Sequence, residues 1–117
     1  MILEISKLGP SAMVGMVWVD QIDATTAPVF RGAMTDLDPK VQFVVIDMTQ
    51  VRFVDSAGLS SLLALQRRLY ARDVRLCVCG LTRTVQALFE LMQVQRLIDV
   101  FASREAALAH YGVSGAE

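Results

Sequence analysis

The sequence predicts an α/β fold built on a mixed sheet of four to five strands, with βαβ crossovers and about four helices. Two strand-like segments precede Asp20 and are joined by the turn signal Gly9-Pro10-Ser11. A uniformly apolar run, Val41 to Met48, has the composition of a strand that is covered on both faces. From there to Tyr111, amphipathic helical segments alternate with short apolar segments, which indicates parallel βαβ units with right-handed crossovers.

Two strands and one helix are predicted before residue 40. Ile2 to Lys7 alternates apolar and polar residues like an edge strand, and Ala12 to Val19 forms the second strand of a hairpin. A helix then begins in Ala24 to Pro28, with a threonine cap and an early proline, and ends at Asp38-Pro39. Its apolar residues recur at helical spacing: Phe30, Ala33, Met34 and Leu37.

Three further helices and two strands are predicted after the central strand. They are helix 57–72, strand Val74–Val78, helix Thr84–Met92, strand Leu97–Phe101 and a last helix capped by Ser103. Helical spacing predicts two buried faces, formed by Leu59, Leu62, Leu63, Leu69 and Tyr70 and by Val85, Leu88, Phe89 and Met92. The last helix carries Ala106, Ala107, Leu108 and Tyr111.

Length and composition indicate one compact domain. We assign residues 1–111 to a single domain and expect residues 112–117, which are small and polar, to form a flexible tail. Hydrophobic residues make up 54% of the chain and charged residues 20%, which is typical of a folded protein rather than a disordered one. The formal net charge of −1 favours a protein or small-molecule partner over nucleic acid or an anionic membrane.

Neither a targeting segment nor a membrane-spanning segment is predicted. The N-terminal residues lack the basic start, apolar run and cleavage site of a signal peptide. No apolar stretch approaches the roughly 18 to 20 residues that span a bilayer. We therefore expect a soluble, cytoplasmic protein that does not insert into a membrane.

Enzyme chemistry has no clear candidate residues. Cys77 and Cys79 lie on one face of a strand and are expected to be buried, reduced thiols, with no further ligands for a metal. His110 is expected to be solvated near the end of the last helix. The V-D-S-A-G run around Ser56 lacks the first glycine of a G-x-S-x-G nucleophile elbow, and no phosphate-binding glycine loop is present. We predict no catalytic residue, no metal and no cofactor.

The start of helix 57–72 is the candidate site. Asp55 or Ser56 caps this helix, a contribution of about 1 kcal/mol, and this role alone explains a polar residue there. Gly58 costs about 1 kcal/mol relative to alanine in a helix, which points to a close approach by another surface. Together with Ala57, Ser60 and Ser61, it forms a low patch on which a partner protein could bind.

The order of motifs around this patch resembles a known family. A short acidic turn leads into a helix start with threonine and proline in Gln21 to Pro28. A strand at Val44 to Met48 and an apolar segment at Val51 to Val54 then lead into Asp55-Ser56-Ala57-Gly58-Leu59. This combination, which covers nearly the whole chain, resembles the STAS domain family, and most closely its small members, the bacterial anti-sigma factor antagonists.

The resemblance implies a phosphorylation switch. Ser56 matches the serine that the family phosphorylates, and the implied partner surface comprises Asp23, Thr25, Asp55, Ser56, Ala57, Gly58 and Ser60. The implied partners are an anti-sigma factor that is a serine kinase, bound by the unphosphorylated form so that a sigma factor is released, and a serine phosphatase that resets Ser56. Phosphorylation adds roughly −1.5 to −2 charges and is expected to switch binding off.

Two positions depart from the family pattern. Asp20 holds a place where family members commonly have glycine, and it adds a negative charge near the implied partner surface. The turn after the third helix often carries glycine, whereas this chain has Met92-Gln93-Val94-Gln95. Both positions bear on which partner fits.

Two other functions stay open. The same fold could serve as a STAS subunit of a lipid-transport ATPase complex, or as part of a signalling scaffold. The second of these alternatives is a small nucleotide-binding protein or enzyme that uses the same strand-to-helix junction, although the residues that such a site requires are missing.

Overall fold

The computed structural model describes residues 1–112 of the chain. Its strands, numbered in chain order, are β1 (Leu3–Leu8), β2 (Ala12–Val17), β3 (Gln21–Ile22), β4 (Phe43–Asp47), β5 (Phe53–Val54), β6 (Arg75–Cys79) and β7 (Asp99–Phe101). Its helices are α1 (Ala27–Arg31), α2 (Ser56–Tyr70), α3 (Arg83–Leu91) and α4 (Arg104–His110), with a short 3-10 helix at Val94–Arg96.

The main sheet has five strands in the order β1-β2-β4-β6-β7. Strand β1 pairs with β2 in the antiparallel direction, whereas β2, β4, β6 and β7 are parallel to one another. The predicted mixed α/β sheet with about four helices is thereby confirmed. The predicted flexible tail begins at Gly112, and residues 113–117 lie outside the described part of the chain.

Both faces of the sheet are covered, because β4 alternates its side chains between two apolar clusters. Val44 and Ile46 pack in the larger cluster with residues of α1, α2 and α3. Val45 packs in the smaller cluster on the opposite face, with the thiols of β6 and with Ala107 and Leu108 of α4. Burial on both faces is the arrangement predicted for this strand, and each fully buried side chain of this size stabilises the fold by about 1.5–3 kcal/mol.

Helix α1 is shorter than predicted. It ends at Arg31 with Gly32 as its C-cap, and Met34 has a positive φ of 60°, a conformation that does not continue a right-handed helix. Ala33 and Met34 are nevertheless buried. The apolar spacing therefore predicted their burial correctly but not the helical conformation of this segment. Thr26 holds the N-cap position, but its side chain makes no capping hydrogen bond, and the predicted threonine cap is wrong in that respect.

Two residues assigned to buried helix faces are exposed instead. Tyr70 is 63% exposed at the last turn of α2, and Met92 is 57% exposed just beyond the end of α3. Leu65, which was not part of the face predicted for this helix, is fully buried. His110 is exposed, as expected, and its ring lies 5.1 Å from those of Phe101 and Tyr111.

Within residues 1–112, no helix is both long enough and apolar enough to cross a membrane. Nor does that part of the chain contain a group of three or more histidine, cysteine or acidic side chains placed to hold a metal ion.

Candidate functional site

A small two-stranded sheet builds the site. Strands β3 and β5 pair in parallel, with Gln21 opposite Phe53 and Ile22 opposite Val54. The pairing extends on both sides: the carbonyl oxygen of Asp20 accepts from Phe53 N at 3.1 Å, and that of Ile22 accepts from Asp55 N at 3.2 Å. The turn that follows β3 is therefore held beside the start of α2.

Asp55 is the residue that caps α2. Its backbone is extended, and its Oδ1 atom accepts a hydrogen bond of 2.8 Å from Gly58 N. This bond satisfies one of the backbone donors left open at a helix start. Ser56 is the first helical residue and is exposed, so its hydroxyl faces solvent and is not needed as the capping oxygen.

Gly58 is buried directly beneath strand β3. A Cβ atom at this position would lie 1.9 Å from the carbonyl oxygen of Ile22, a distance that no side chain can occupy. The close approach that the sequence indicated is thus made by the chain itself, and only a residue without a side chain permits it. Gly58 brings the turn after Ile22 against the helix that carries Ser56.

Asp23 organises that turn. Its Oδ1 atom accepts hydrogen bonds from Thr25 N at 3.0 Å and Thr26 N at 3.2 Å, and its own N–H donates to Thr26 Oγ1 at 2.9 Å. Such reciprocal bonding fixes a short turn without regular secondary structure. The half-buried carboxylate of Asp23 and the exposed side chain of Thr25 are consequently presented at a defined position.

The structure brings most of the predicted site residues together at the surface. Asp23, Thr25, Asp55, Ser56, Ala57 and Ser60 are exposed or half-buried, and we call them the Ser56 surface. Asp20, also exposed, lies directly before β3, at the other end of this strand from Asp23, and its carbonyl oxygen accepts from Arg52 N at 2.7 Å. Ser61, the neighbour of Ser60, is buried and donates to the carbonyl oxygen of Gly58 at 2.6 Å, so it is not part of this surface.

An apolar groove adjoins the Ser56 surface and was missed in the sequence analysis. It has a volume of about 470 Å³ and is open to solvent. The groove also includes Asp55, Ser56, Ser60 and Arg67, and its apolar lining consists of Phe53, Val54, Leu59, Leu63, Leu88 and Met92. We call it the Ser56 groove. The sequence offered two signals: Met92 at the end of a predicted helix and Phe53 in the short apolar segment before Asp55. In the structure both side chains are about half exposed.

A partly buried ion pair supports the loop that leads to the site. Asp47, the last residue of β4, accepts hydrogen bonds from Thr49 N at 3.1 Å, Thr49 Oγ1 at 2.9 Å and Arg104 at 3.0 Å. Arg104 is the first residue of α4. These bonds attach α4 to the segment between β4 and β5. The sequence did not predict them, because Asp47 stands in an apolar run and no pattern connects it with Arg104.

The thiols of β6 are not reactive groups. Cys77 and Cys79 are buried on the face covered by α4, and burial raises the pKa of both to about 12. A neutral thiol is a weak nucleophile, so neither cysteine is activated. The arrangement around Ser56 suits recognition by another protein, with an exposed hydroxyl, the carboxylates of Asp23 and Asp55, and an apolar groove.

Comparison with known proteins gives one family. The model of the STAS domain matches residues 16–107. An anti-sigma-B factor antagonist from Listeria monocytogenes is 32% identical over 81 residues, which are 68% of this chain and 71% of that protein.

Solved structures share the fold. The anti-sigma factor antagonist SpoIIAA in its unphosphorylated form has a TM-score of 0.73 with 16% identity, covering 96% of this chain and 98% of that one. The Bacillus cell fate determinant SpoIIAA in its phosphorylated form has a TM-score of 0.69, also with 16% identity, covering 93% of this chain and 98% of that one. A sulfate transporter family protein from Wolinella succinogenes has a TM-score of 0.81 with 14% identity, covering 92% of this chain and 89% of that one.

Proposed function

The chain belongs to the STAS domain family, and we propose that it is an anti-sigma factor antagonist controlled by phosphorylation of Ser56. In its unmodified form it binds a cognate anti-sigma factor and so releases a sigma factor. The observation that carries this proposal is the division of roles at the start of α2, where Asp55 caps the helix and the hydroxyl of Ser56 faces solvent.

Charge supplies the switch. A phosphate on Ser56 adds roughly −1.5 to −2 charges next to Asp55 and near Asp23. A partner that fits the small, uncharged hydroxyl then meets added bulk and a cluster of negative charge, which opposes docking. The fold should tolerate the phosphate, because a helix N-terminus favours an anion and Asp55 keeps its capping bond.

The Ser56 groove supports the same proposal by offering apolar contact. Phe53 and Met92 expose apolar side chains beside Ser56, and their burial under a partner would contribute roughly 25 cal/mol per Å² of covered area. Binding energy from the groove and discrimination by the charge at Ser56 would thus come from neighbouring parts of one surface. Gly58 acts on a partner indirectly, through the position that it gives to the turn at Asp23.

The partners follow from this mechanism. We propose that the anti-sigma factor is a serine kinase that phosphorylates Ser56, that a serine phosphatase restores the hydroxyl, and that the exchange takes place in the cytoplasm. The chain itself is a substrate and a binding protein rather than an enzyme. Supporting this, His110 lies on α4, which packs against the opposite face of the sheet from α2, so no histidine of the chain is a base for Ser56.

Phosphorylation by the serine kinases of the histidine-kinase-like ATPase fold from the same genome tests the proposal. Each kinase is incubated with ATP and the wild-type chain, and the modified residue is mapped by mass spectrometry. We expect one kinase to place a single phosphate on Ser56, none on Ser56→Ala, and a normal amount on the matched control Ser60→Ala. Undiminished labelling of Ser56→Ala would overturn the assignment of Ser56.

A further inference from the structure

A second concave region lies at the far end of α2 from Ser56. It has a volume of about 430 Å³ and lies where α2 ends and where β6 and β7 begin. Its lining includes Gln66, Tyr70, Arg75, Arg96, Leu97 and Asp99, and we call it the arginine pocket. The rise of a helix puts Tyr70 about 21 Å from Ser56, so the two sites do not overlap.

Two guanidinium groups of the pocket have no carboxylate partner among residues 1–112. Within residues 1–112, neither Arg75 nor Arg96 has a carboxylate oxygen within 4.0 Å, since the ion pairs of that part of the chain are Lys7 with Asp38 and Arg104 with Asp47. The one acid in the lining, Asp99, already accepts a hydrogen bond of 3.0 Å from the Tyr111 hydroxyl. Two unpaired arginines in one concavity favour an anion, because each presents a planar fork of donors to phosphate or carboxylate.

The remaining lining is suited to an apolar ring. Tyr70 is 63% exposed and Leu97 58% exposed, so each offers an apolar surface to a ligand rather than to the core. Val74 and Leu76, which are buried, also line the pocket, and the side chain of Gln66 adds a neutral donor and acceptor. An aromatic side chain beside guanidinium groups is a combination that binds planar, anionic molecules.

We infer that the arginine pocket binds a small molecule that combines a planar ring with a phosphate or carboxylate group. Its volume lies within the roughly 300–1,000 Å³ that is usual for small-molecule sites. The anionic group binds Arg75 and Arg96, and the ring packs on Tyr70 and Leu97. This site is independent of the proposed role of Ser56, because none of its lining residues belongs to the Ser56 surface.

Titration with phenyl phosphate, followed by amide NMR at physiological ionic strength, tests this inference. We expect saturable shifts confined to the lining residues of the arginine pocket, and binding that is weaker for inorganic phosphate, which has no ring. Arg75→Gln and Arg96→Gln should each weaken binding roughly tenfold, as expected for a lost hydrogen bond to a charged group.

Arg83→Gln is the matched control, because Arg83 is an exposed arginine at the start of α3 and outside the pocket. It should leave the affinity unchanged, as should Ser56→Asp, which separates this test from the phosphorylation proposal. Thermal unfolding verifies that each variant is folded. The inference is overturned if phenyl phosphate gives no saturable shifts, if Arg83→Gln weakens binding as much as the pocket variants, or if inorganic phosphate binds equally well.

Discussion

At the scale of single residues, the site depends on which atoms are already engaged by the fold. Asp55 uses a carboxylate oxygen to cap α2, and Asp23 uses one to hold the turn before α1. Both nevertheless keep their negative charge close to Ser56. The hydroxyl of Ser56 is exposed and is not the capping oxygen of α2, so its modification changes the surface without dismantling the fold.

Gly58→Ala is the substitution most damaging to the geometry of the site. The new Cβ would meet the carbonyl of Ile22, so β3 must shift, and overpacking of this kind costs about 1–3 kcal/mol of stability. Urea unfolding measures the loss, and the same variant should bind the kinase less well because the Asp23 turn moves.

Gly32→Ala provides the matched control for this change. Its Cβ would have only Pro28 O nearby, at 3.3 Å, and its φ of −90° suits any residue. We expect a change in unfolding free energy below about 1 kcal/mol. Equal destabilisation by the two substitutions would contradict the role assigned to Gly58.

The buried thiols predict a fall in stability at alkaline pH. Burial raises the pKa of Cys77 and Cys79 from 9.0 to about 12, so the folded chain keeps both protons where the unfolded chain has lost them. The contribution of these protonated thiols to the free energy of unfolding is fully present below pH 9 and is lost as the pH rises towards 12. Unfolding free energies measured at successive pH values test this, with Cys77→Ala/Cys79→Ala as the variant in which the fall is smaller. A wild-type curve no steeper than that of the variant would refute it.

At the scale of elements, the turn after α3 carries backbone strain. Gln93 adopts a left-handed conformation, with φ 57° and ψ 35°, at the place where the sequence departs from the glycine common in the family. That conformation costs a residue with a side chain about 1–2 kcal/mol. Since glycine pays a smaller entropic penalty of its own, Gln93→Gly should raise the free energy of unfolding by up to about 1 kcal/mol.

The matched control is Gln95→Gly, two residues further along in the 3-10 helix Val94–Arg96. This position does not have a positive φ, so glycine there brings only its entropic cost and should destabilise the chain. Thermal or urea unfolding compares the two variants. If Gln93→Gly proves the less stable of the pair, strain at Gln93 is not significant.

The Ser56 groove is also a property of elements, because β5, α2 and α3 each contribute to it. Met92→Glu places a charge in the groove and should weaken binding to the kinase by about tenfold or more, which is a modest effect for a buried interface residue. Leu91→Glu is the control, since Leu91 is the neighbouring residue, is 78% exposed and does not line the groove. Calorimetric titration distinguishes them, and equal effects would remove the groove from the interface.

Periodicity predicted the elements well where a helix or strand buries a regular face. Helix 57–72 is observed as Ser56–Tyr70, and the apolar run from Val41 contains β4. It misplaced the end of α1, because Met34 reaches the core from a left-handed turn rather than from a helix. It also misassigned Tyr70 and Met92, which lie at helix ends where the chain turns away from the core.

At the scale of the whole molecule, the site forms because distant segments meet. Strands β3 and β5 have two residues each, too few to show an alternating pattern, and the sequence alone did not predict their pairing. That pairing is what sets Asp23 beside Asp55. The strand order β1-β2-β4-β6-β7 was likewise beyond the sequence pattern, whereas the resemblance to the STAS family indicated which residues share one surface.

The molecule also separates two kinds of surface along α2. Its first turn lies with the carboxylates of Asp23 and Asp55 and with an apolar groove, and its last turn lies with Arg75 and Arg96 in a polar pocket. Both ends rest on the same buried helix face, formed by Leu62, Leu65 and Leu69. A ligand at one end and a protein at the other can therefore occupy the chain together.

The central claim is that phosphorylation of Ser56 switches partner binding off, and one calorimetric titration tests it most directly. The kinase that modifies the chain is titrated with the unphosphorylated chain and with the chain phosphorylated on Ser56. Because added charge at an interface costs several kcal/mol, the phosphorylated form should bind at least about a hundredfold more weakly. Equal affinity of the two forms would contradict the account.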